Sequence, residues 1–224
     1  SDEFYEFEKD DATRSHSGVV LNKLAEKMTN LIGGSADLAP SNKSNMKNTS
    51  NYSKGNREGR NIQFGVRELA MTAITNGIAL HGGFVPYCST FFVFADYMKP
   101  PMRLASIMKL RLLYVLTHDS IGVGEDGPTH EPIEQLAMLR STPNMTLFRP
   151  CDAKETAAAY SYGLRHKTGP TAIALTRQKL ENLKETGKDA LKGAYVLRDF
   201  GEKMDIILMA SGSEVSLIYK AAEK

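Results

Sequence analysis

Leu110-Arg111-Leu112-Leu113-Tyr114-Val115-Leu116 runs directly into Thr117-His118-Asp119-Ser120-Ile121-Gly122-Val123-Gly124-Glu125-Asp126-Gly127-Pro128-Thr129-His130. The first string is apolar almost throughout, the pattern of a strand whose sheet is covered by helices on both faces. Working outward, other short apolar runs are predicted as strands at 31–34, 61–64, 84–88, 145–148 and 171–176. Helical spacing occupies the intervals: Val19, Val20, Leu24 and Met28 in the first, then 66–82, 91–108 with a break at Pro100-Pro101, 132–140 and the Ala-rich 153–166. Strands separated by helices predict a three-layer α/β/α domain with a mainly parallel sheet and right-handed crossovers. Residues 35–60 are rich in Ser, Asn, Gly and Lys, a loop longer than the ~12–15 residues usual without function, and are expected to cover a site.

Composition narrows the function classes. The 224 residues are 42% hydrophobic and 24% charged, so the chain can bury a core. Lys and Arg exceed Asp and Glu by only 28 to 26, leaving +2 and no basic field for a nucleic acid or an anionic membrane. Cys88 and Cys151 sit in apolar surroundings and read as packing residues, which fits a reducing compartment. With no apolar run near the ~18 residues of a membrane span and an acidic start, a cytoplasmic location is expected. Polar residues at 178–192 read as a linker, 205–212 as a strand and 213–224 as an amphipathic helix. The expected organisation is a domain over 1–177, a linker over 178–192, and over 193–224 the truncated start of a second α/β domain, the whole being a piece of a longer polypeptide.

In an open parallel sheet, ligands gather outside the carboxyl ends of the strands. The loop 117–130 there carries three glycines, three carboxylates and two histidines: either a ligand-binding loop or a surface loop whose acids cap the next helix. Glu68, in the first turn of an apolar helix, either complements the helix dipole or, if buried, is an acid with a raised pKa. Phe91, Phe94 and Tyr97 recur every three residues and form either core or a wall for a planar heterocycle. Arg14, His118 and Arg177 lie at element ends, where Arg holds phosphate bidentately. His16, His81 and His166 read as solvated or capping, and no metal-ligand spacing is present.

The strings Gly33-Gly34-Ser35-Ala36-Asp37-Leu38-Ala39-Pro40-Ser41-Asn42, Phe64-Gly65-Val66-Arg67-Glu68, Thr90-Phe91-Phe92-Val93-Phe94, His118 to His130 and Leu175-Thr176-Arg177-Gln178, in this order, closely resemble the transketolase family. The likeness corresponds to its central, pyrimidine-binding domain plus the beginning of the carboxy-terminal domain. It implies the thiamine diphosphate pyrimidine-domain fold and a homodimer sharing its cofactor between subunits. It implies transfer of a two-carbon ketol unit from a ketose phosphate such as xylulose 5-phosphate to an aldose phosphate, in the pentose phosphate pathway. By resemblance, Glu68 hydrogen-bonds the aminopyrimidine ring of thiamine diphosphate, Phe91, Phe94 and Tyr97 form its pocket, and Asp37 lies nearby. Arg14, Ser41, His118 and Arg177 match positions that bind the sugar phosphate, Asp126 one that recognises a hydroxyl configuration, and His130 one near the reacting groups. The element that binds Mg2+ (or Ca2+) and the diphosphate belongs to the family's amino-terminal domain, absent here. The resemblance therefore implies no metal ligand in this chain and a chain inactive alone. A non-catalytic phosphosugar-binding subunit, or one subunit of a split enzyme, is the alternative.

Overall fold

The computed structural model describes residues 2–199, 201 and 205–223. Among them one parallel sheet is built from β1 (Leu31–Ser35), β2 (Asn61–Gln63), β3 (Val85–Phe91), β4 (Leu113–Thr117), β5 (Thr146–Phe148) and β6 (Thr171–Leu175), in the spatial order β2-β1-β3-β4-β6-β5. Side chains alternate across it. Tyr87, Leu113, Val115, Ile173 and Leu175 pack with Val20 and Leu21 of α1 (Thr13–Lys27) and Ala157 and Tyr160 of α6 (Ala153–Arg165). Their neighbours Cys88, Tyr114, Leu116, Ala172 and Ala174 join Met71 of α3 (Glu68–His81) and Met98, Met102 and Ala105 of α4 (Ala95–Ile107). These are the two apolar interfaces of a three-layer α/β/α domain, each large side chain contributing about 1.5–3 kcal/mol by leaving water.

The Gly33-Gly34 pair inside β1 has a steric cause. A Cβ on Gly33 would strike the carbonyl and ring of Tyr87, and one on Gly34 the carbonyl of Ile62. The close approach lets the Tyr87 hydroxyl donate to the Ser44 carbonyl at 2.7 Å, tying down the long loop. Asn61 fastens it again, accepting from Met46 N at 3.0 Å and donating to the Met46 carbonyl at 2.8 Å. Within that loop lies the short α2 (Ala39–Asn42).

Four expectations change. The helix predicted from Phe91 begins at Ala95, because β3 continues through Phe91. It is not broken at Pro100-Pro101: α4 runs through both, and buried Met98, Met102 and Ala105, with Asn76 Nδ2 donating to the Pro101 carbonyl at 2.8 Å, outweigh the missing N–H donors. His16 is buried in α1 rather than solvated, its ring edge-on to Phe7 at 5.3 Å. Residues 205–212 are not a strand. Ile206 and Met209 are 75% and 86% exposed, and no described strand stands beside them to complete a ladder.

After this stretch α7 (Glu214–Ala222) forms as expected, and Lys224, its predicted end, lies outside the described residues. The polar segment 178–192 is anchored along α6. The Asp152 carboxylate, which caps α6 by accepting from Glu155 N at 2.9 Å, also accepts from Leu183 N at 3.2 Å and from the Thr186 hydroxyl.

Candidate functional site

A parallel sheet brings all its carboxyl ends to one edge, and register aligns them further. Phe91 pairs with Thr117, and Thr117 with Leu175, so the residues that follow leave the sheet in one row. The strand order reverses between β1 and β3, where an open sheet leaves a crevice.

His118 sits at the centre of this row, 2% exposed, with a left-handed φ of 65°. A side chain rarely adopts that backbone conformation, and holding one there costs roughly 1–3 kcal/mol. It is held by neighbours on three sides. The Phe91 ring stacks on the imidazole at 3.7 Å between centroids, Thr117 Oγ1 lies 2.8 Å from Nδ1, and Arg14 Nη1 lies 3.3 Å from Nε2. Burial, then Arg14 and Arg177, push the His118 pKa down from 6.5 to about 3, so the ring is neutral at physiological pH.

Arg14 projects from the first turn of α1, and its Nη1 also donates to the Ser41 carbonyl at 2.8 Å. Its Nε is buried without a partner. Burial and Arg177 push its pKa below the usual guanidinium value. Arg177 donates to the Val123 carbonyl at 2.8 Å and pairs with the exposed Glu125 at 2.6 Å. The corner therefore sets Arg14 against a buried neutral imidazole and Arg177 within reach of its field, with one buried N–H donor of Arg14 unspent, a polarity able to receive an anion.

Beside it stands the aromatic wall. Phe91 and Phe94 lie parallel within 5° at 6.2 Å, Tyr97 continues the row at 6.3 Å from Phe94, and Tyr97 is 62% exposed. A surface graded from buried to open is a face for a ring to cover. His130, its Nδ1 2.8 Å from Thr129 Oγ1, stands edge-on to Phe94 at 5.4 Å and to Phe91 at 6.1 Å. The glycine turn at 124–127 carries Asp126 out into solvent, where its charge acts on Arg14.

Glu68 opens α3 and is only 9% exposed, and its carboxylate makes no hydrogen bond within the described residues. The turn before it needs Gly65, whose φ is +67°. α3 and α4 both lie on the Met71 face of the sheet, which puts Glu68 and the aromatic row at the same edge of the same layer. Asp37, with φ 62°, is exposed just beyond β1, and Ser41 enters through its backbone carbonyl. Ser35, Asn42 and Thr117, which hold His118 in place, lie within stretches that the sequence marked, but nothing in it singled them out. Their contacts join segments up to 75 residues apart through small polar side chains common in any loop.

The family described as "Transketolase, pyrimidine binding domain" matches residues 9–182. The chain belongs to the transketolase family. It is 50% identical to a transketolase from Staphylococcus epidermidis over 98% of its own length and 34% of that protein's. Among solved structures it resembles a Pichia stipitis transketolase in complex with sedoheptulose 7-phosphate, with TM-score 0.94 and 44% identity over 96% of this chain and 33% of that one. It also resembles a split-gene transketolase, described as an inactive β4 tetramer, with TM-score 0.63 and 30% identity over 81% of this chain and 56% of the other. The chain thus spans about a third of the curated relatives it matches. The family uses thiamine diphosphate, and its members are transferases.

Proposed function

We propose that the chain supplies the pyrimidine-side half of a ketol-transfer site acting on sugar phosphates, and that transfer requires the remaining two thirds of the length its relatives have. The observation that carries this reading is the incomplete charge at the carboxyl edge: Arg14 and Arg177 on a neutral His118, with Arg14 Nε unpartnered beside an open aromatic wall. Residues 1–177 form the cofactor-binding unit, 178–192 link it onward, and 193–224 begin a further domain. In this reading the residues fit the pyrimidine end of thiamine diphosphate: Glu68, 9% exposed, with its carboxylate unpartnered among the described residues, and a stacking face of Phe91, Phe94 and Tyr97, with Asp37 at the rim. When bound, thiamine diphosphate supplies the electron sink for breaking and remaking a carbon–carbon bond.

The chain's own residues then bind and orient. Glu68 shares a proton with a ring nitrogen. Arg14, Arg177 and His118 hold the phosphate of a ketose such as xylulose 5-phosphate, with Ser41 beside them, and so set the register of the sugar. Asp126 accepts a hydroxyl hydrogen and discriminates its configuration, and His130 serves the reacting carbonyl and hydroxyl as proton donor and acceptor. Mg2+ and the diphosphate belong to the amino-terminal domain of the family, and the working unit is a homodimer. The split-gene relative, an inactive tetramer by its own description, is in line with a unit of this kind being silent alone.

Calorimetric titration of thiamine diphosphate and Mg2+ into this chain, alone and mixed with a diphosphate-binding domain of a related transketolase, followed by a ketol-transfer assay, tests the reading. Weak or no binding alone and activity in the mixture is the expected result. A mixture that associates and neither binds nor turns over would point to a non-catalytic subunit instead.

A further inference from the structure

The hydrogen bonds behind His118 have a fixed direction, and the direction can be traced from one end. A guanidinium only donates, so the Nε2 atom that faces Arg14 Nη1 at 3.3 Å is a bare acceptor. The ring hydrogen of this neutral imidazole is therefore on Nδ1 and is given to Thr117 Oγ1 at 2.8 Å. Thr117 has one hydroxyl hydrogen, and it goes to Asn42 Oδ1 at 2.6 Å. The amide nitrogen of Asn42 then donates to Ser35 Oγ at 3.0 Å, which also accepts from Leu38 N at 3.2 Å. Ser35, Asn42 and Thr117 are each no more than 1% exposed, so no water competes for these bonds. Reversing the row would place an N–H on Nε2 against a donor that cannot accept.

We propose that Thr117 and Asn42 are positioning residues that lock His118 as the Nδ1–H tautomer, so that this corner binds a phosphate ester with uptake of a proton. The second half rests on the phosphosugar reading above. A phosphate dianion and a bare Nε2 are both acceptors and repel at contact distance. Contact needs a hydrogen between them, taken from the buffer and carried on either the ester oxygen or Nε2. The charged and titratable groups facing the ring are Arg14 from α1, Arg177 from beyond β6, and Glu125 and His130 from its own loop. Arg14 and Arg177 disfavour the extra proton in the free site, and an entering anion offsets them.

Two measurements test this on the 224-residue chain. Long-range 1H–15N correlation of the histidine rings near neutral pH should show His118 with a protonated Nδ1 and an unprotonated Nε2. In an Arg14→Met background, where no donor faces Nε2, the Thr117–Asn42 pair alone should still hold the Nδ1–H pattern; adding Thr117→Val should lose it while the other histidine signals persist, and adding Thr117→Ser instead should keep it. An Nε2–H ring in the unaltered chain, or an Nδ1–H ring that survives Thr117→Val in the Arg14→Met background, overturns the assignment. Should Thr117→Val not fold, Asn42→Asp, which keeps an acceptor for Thr117, should still show the Nδ1–H pattern, and its loss there overturns the relay.

The second measurement is calorimetric titration of ribose 5-phosphate near pH 8, where the ester is mostly dianionic, in buffers of different ionisation heat. The expected result is close to one proton taken up per ester bound. Binding without proton uptake in the unaltered chain overturns the second half of the proposal. No binding at all removes the phosphosugar reading and the proton uptake with it, whereas the tautomer measurement stands or falls separately.

Discussion

His118 and Asp119 are adjacent, both nearly buried, at 2% and 4% exposed, and both meet arginines, yet their surroundings are opposite in kind. Asp119 is matched in charge: Arg149 Nε donates to its Oδ2 at 2.6 Å, and the same guanidinium holds Glu214 of α7 and, at 2.9 Å, the Ser211 carbonyl, although Asp119 Oδ1 is buried with no partner among the described residues. His118 is unmatched: the arginines that touch or face it lower its pKa, and Arg14 keeps a donor with no acceptor. Buried charges of opposite sign held together close a structure, here fastening the end of the described chain to the loop after β4. An incomplete cluster stores electrostatic free energy that an incoming anion releases.

The largest test of that contrast is on the matched side. Arg149→Met leaves Asp119 buried without its cation and should lower stability by about 3–5 kcal/mol in urea unfolding. A loss below about 1 kcal/mol would mean that Asp119 is not electrostatically dependent on Arg149. On the unmatched side the sign reverses, since added anion should stabilise. Sulfate at ten times its dissociation constant should raise stability by about 1.4 kcal/mol, and Arg14→Met and Arg177→Met should each abolish most of this gain in thermal unfolding. Equal stabilisation of all three proteins would show that sulfate acts elsewhere.

Acid should also tell the two sides apart. The unfolded His118 ring takes up a proton as pH falls through 6.5, whereas the folded ring resists until about 3. Because the folded pKa is depressed below the unfolded one, the stability tied to the neutral ring is full above 6.5 and drains away as pH falls toward 3. Compared with His118→Asn, the unaltered chain should lose its advantage between about pH 7 and pH 5, by on the order of 1 kcal/mol once water reaching this edge is allowed for. Parallel unfolding profiles of the two proteins across that range would contradict a buried neutral His118.

The fold was legible because a continuous apolar run is a local signal: Leu112 to Leu116 announces a strand covered on both faces. Membership of the site was half legible. Arg14, His118 and Arg177 stood out by their places at element ends, and the aromatic row by its spacing, while the sequence could not show that the row runs from a buried Phe91 to a Tyr97 that is 62% exposed. What failed was whatever depends on a partner. Residues 205–212 carry the pattern of a strand, but a strand exists only beside another, and a pattern cannot say whether a neighbour is there. Pro100-Pro101 fails for the converse reason: propensity predicted a break, and packing by Met98 and Met102 overrode it. The Ser35–Asn42–Thr117 row was invisible because each member is an ordinary polar residue until the sheet register brings β1 and β4 to a common edge.

The smallest expected effect sets the floor for the comparison. Lys220 of α7 pairs with Glu181 at 2.9 Å, a distance much like that of Arg149 to Asp119, but with side chains 58% and 56% exposed. In water the attraction is screened, and ordering two long side chains costs entropy, so the pair contributes about 0.5 kcal/mol or less. Lys220→Ala should therefore leave urea unfolding nearly unchanged. Were it to cost as much as Arg149→Met, contact distance rather than burial would govern the strength of these pairs, and the distinction between matched and unmatched buried charge would lose its physical basis.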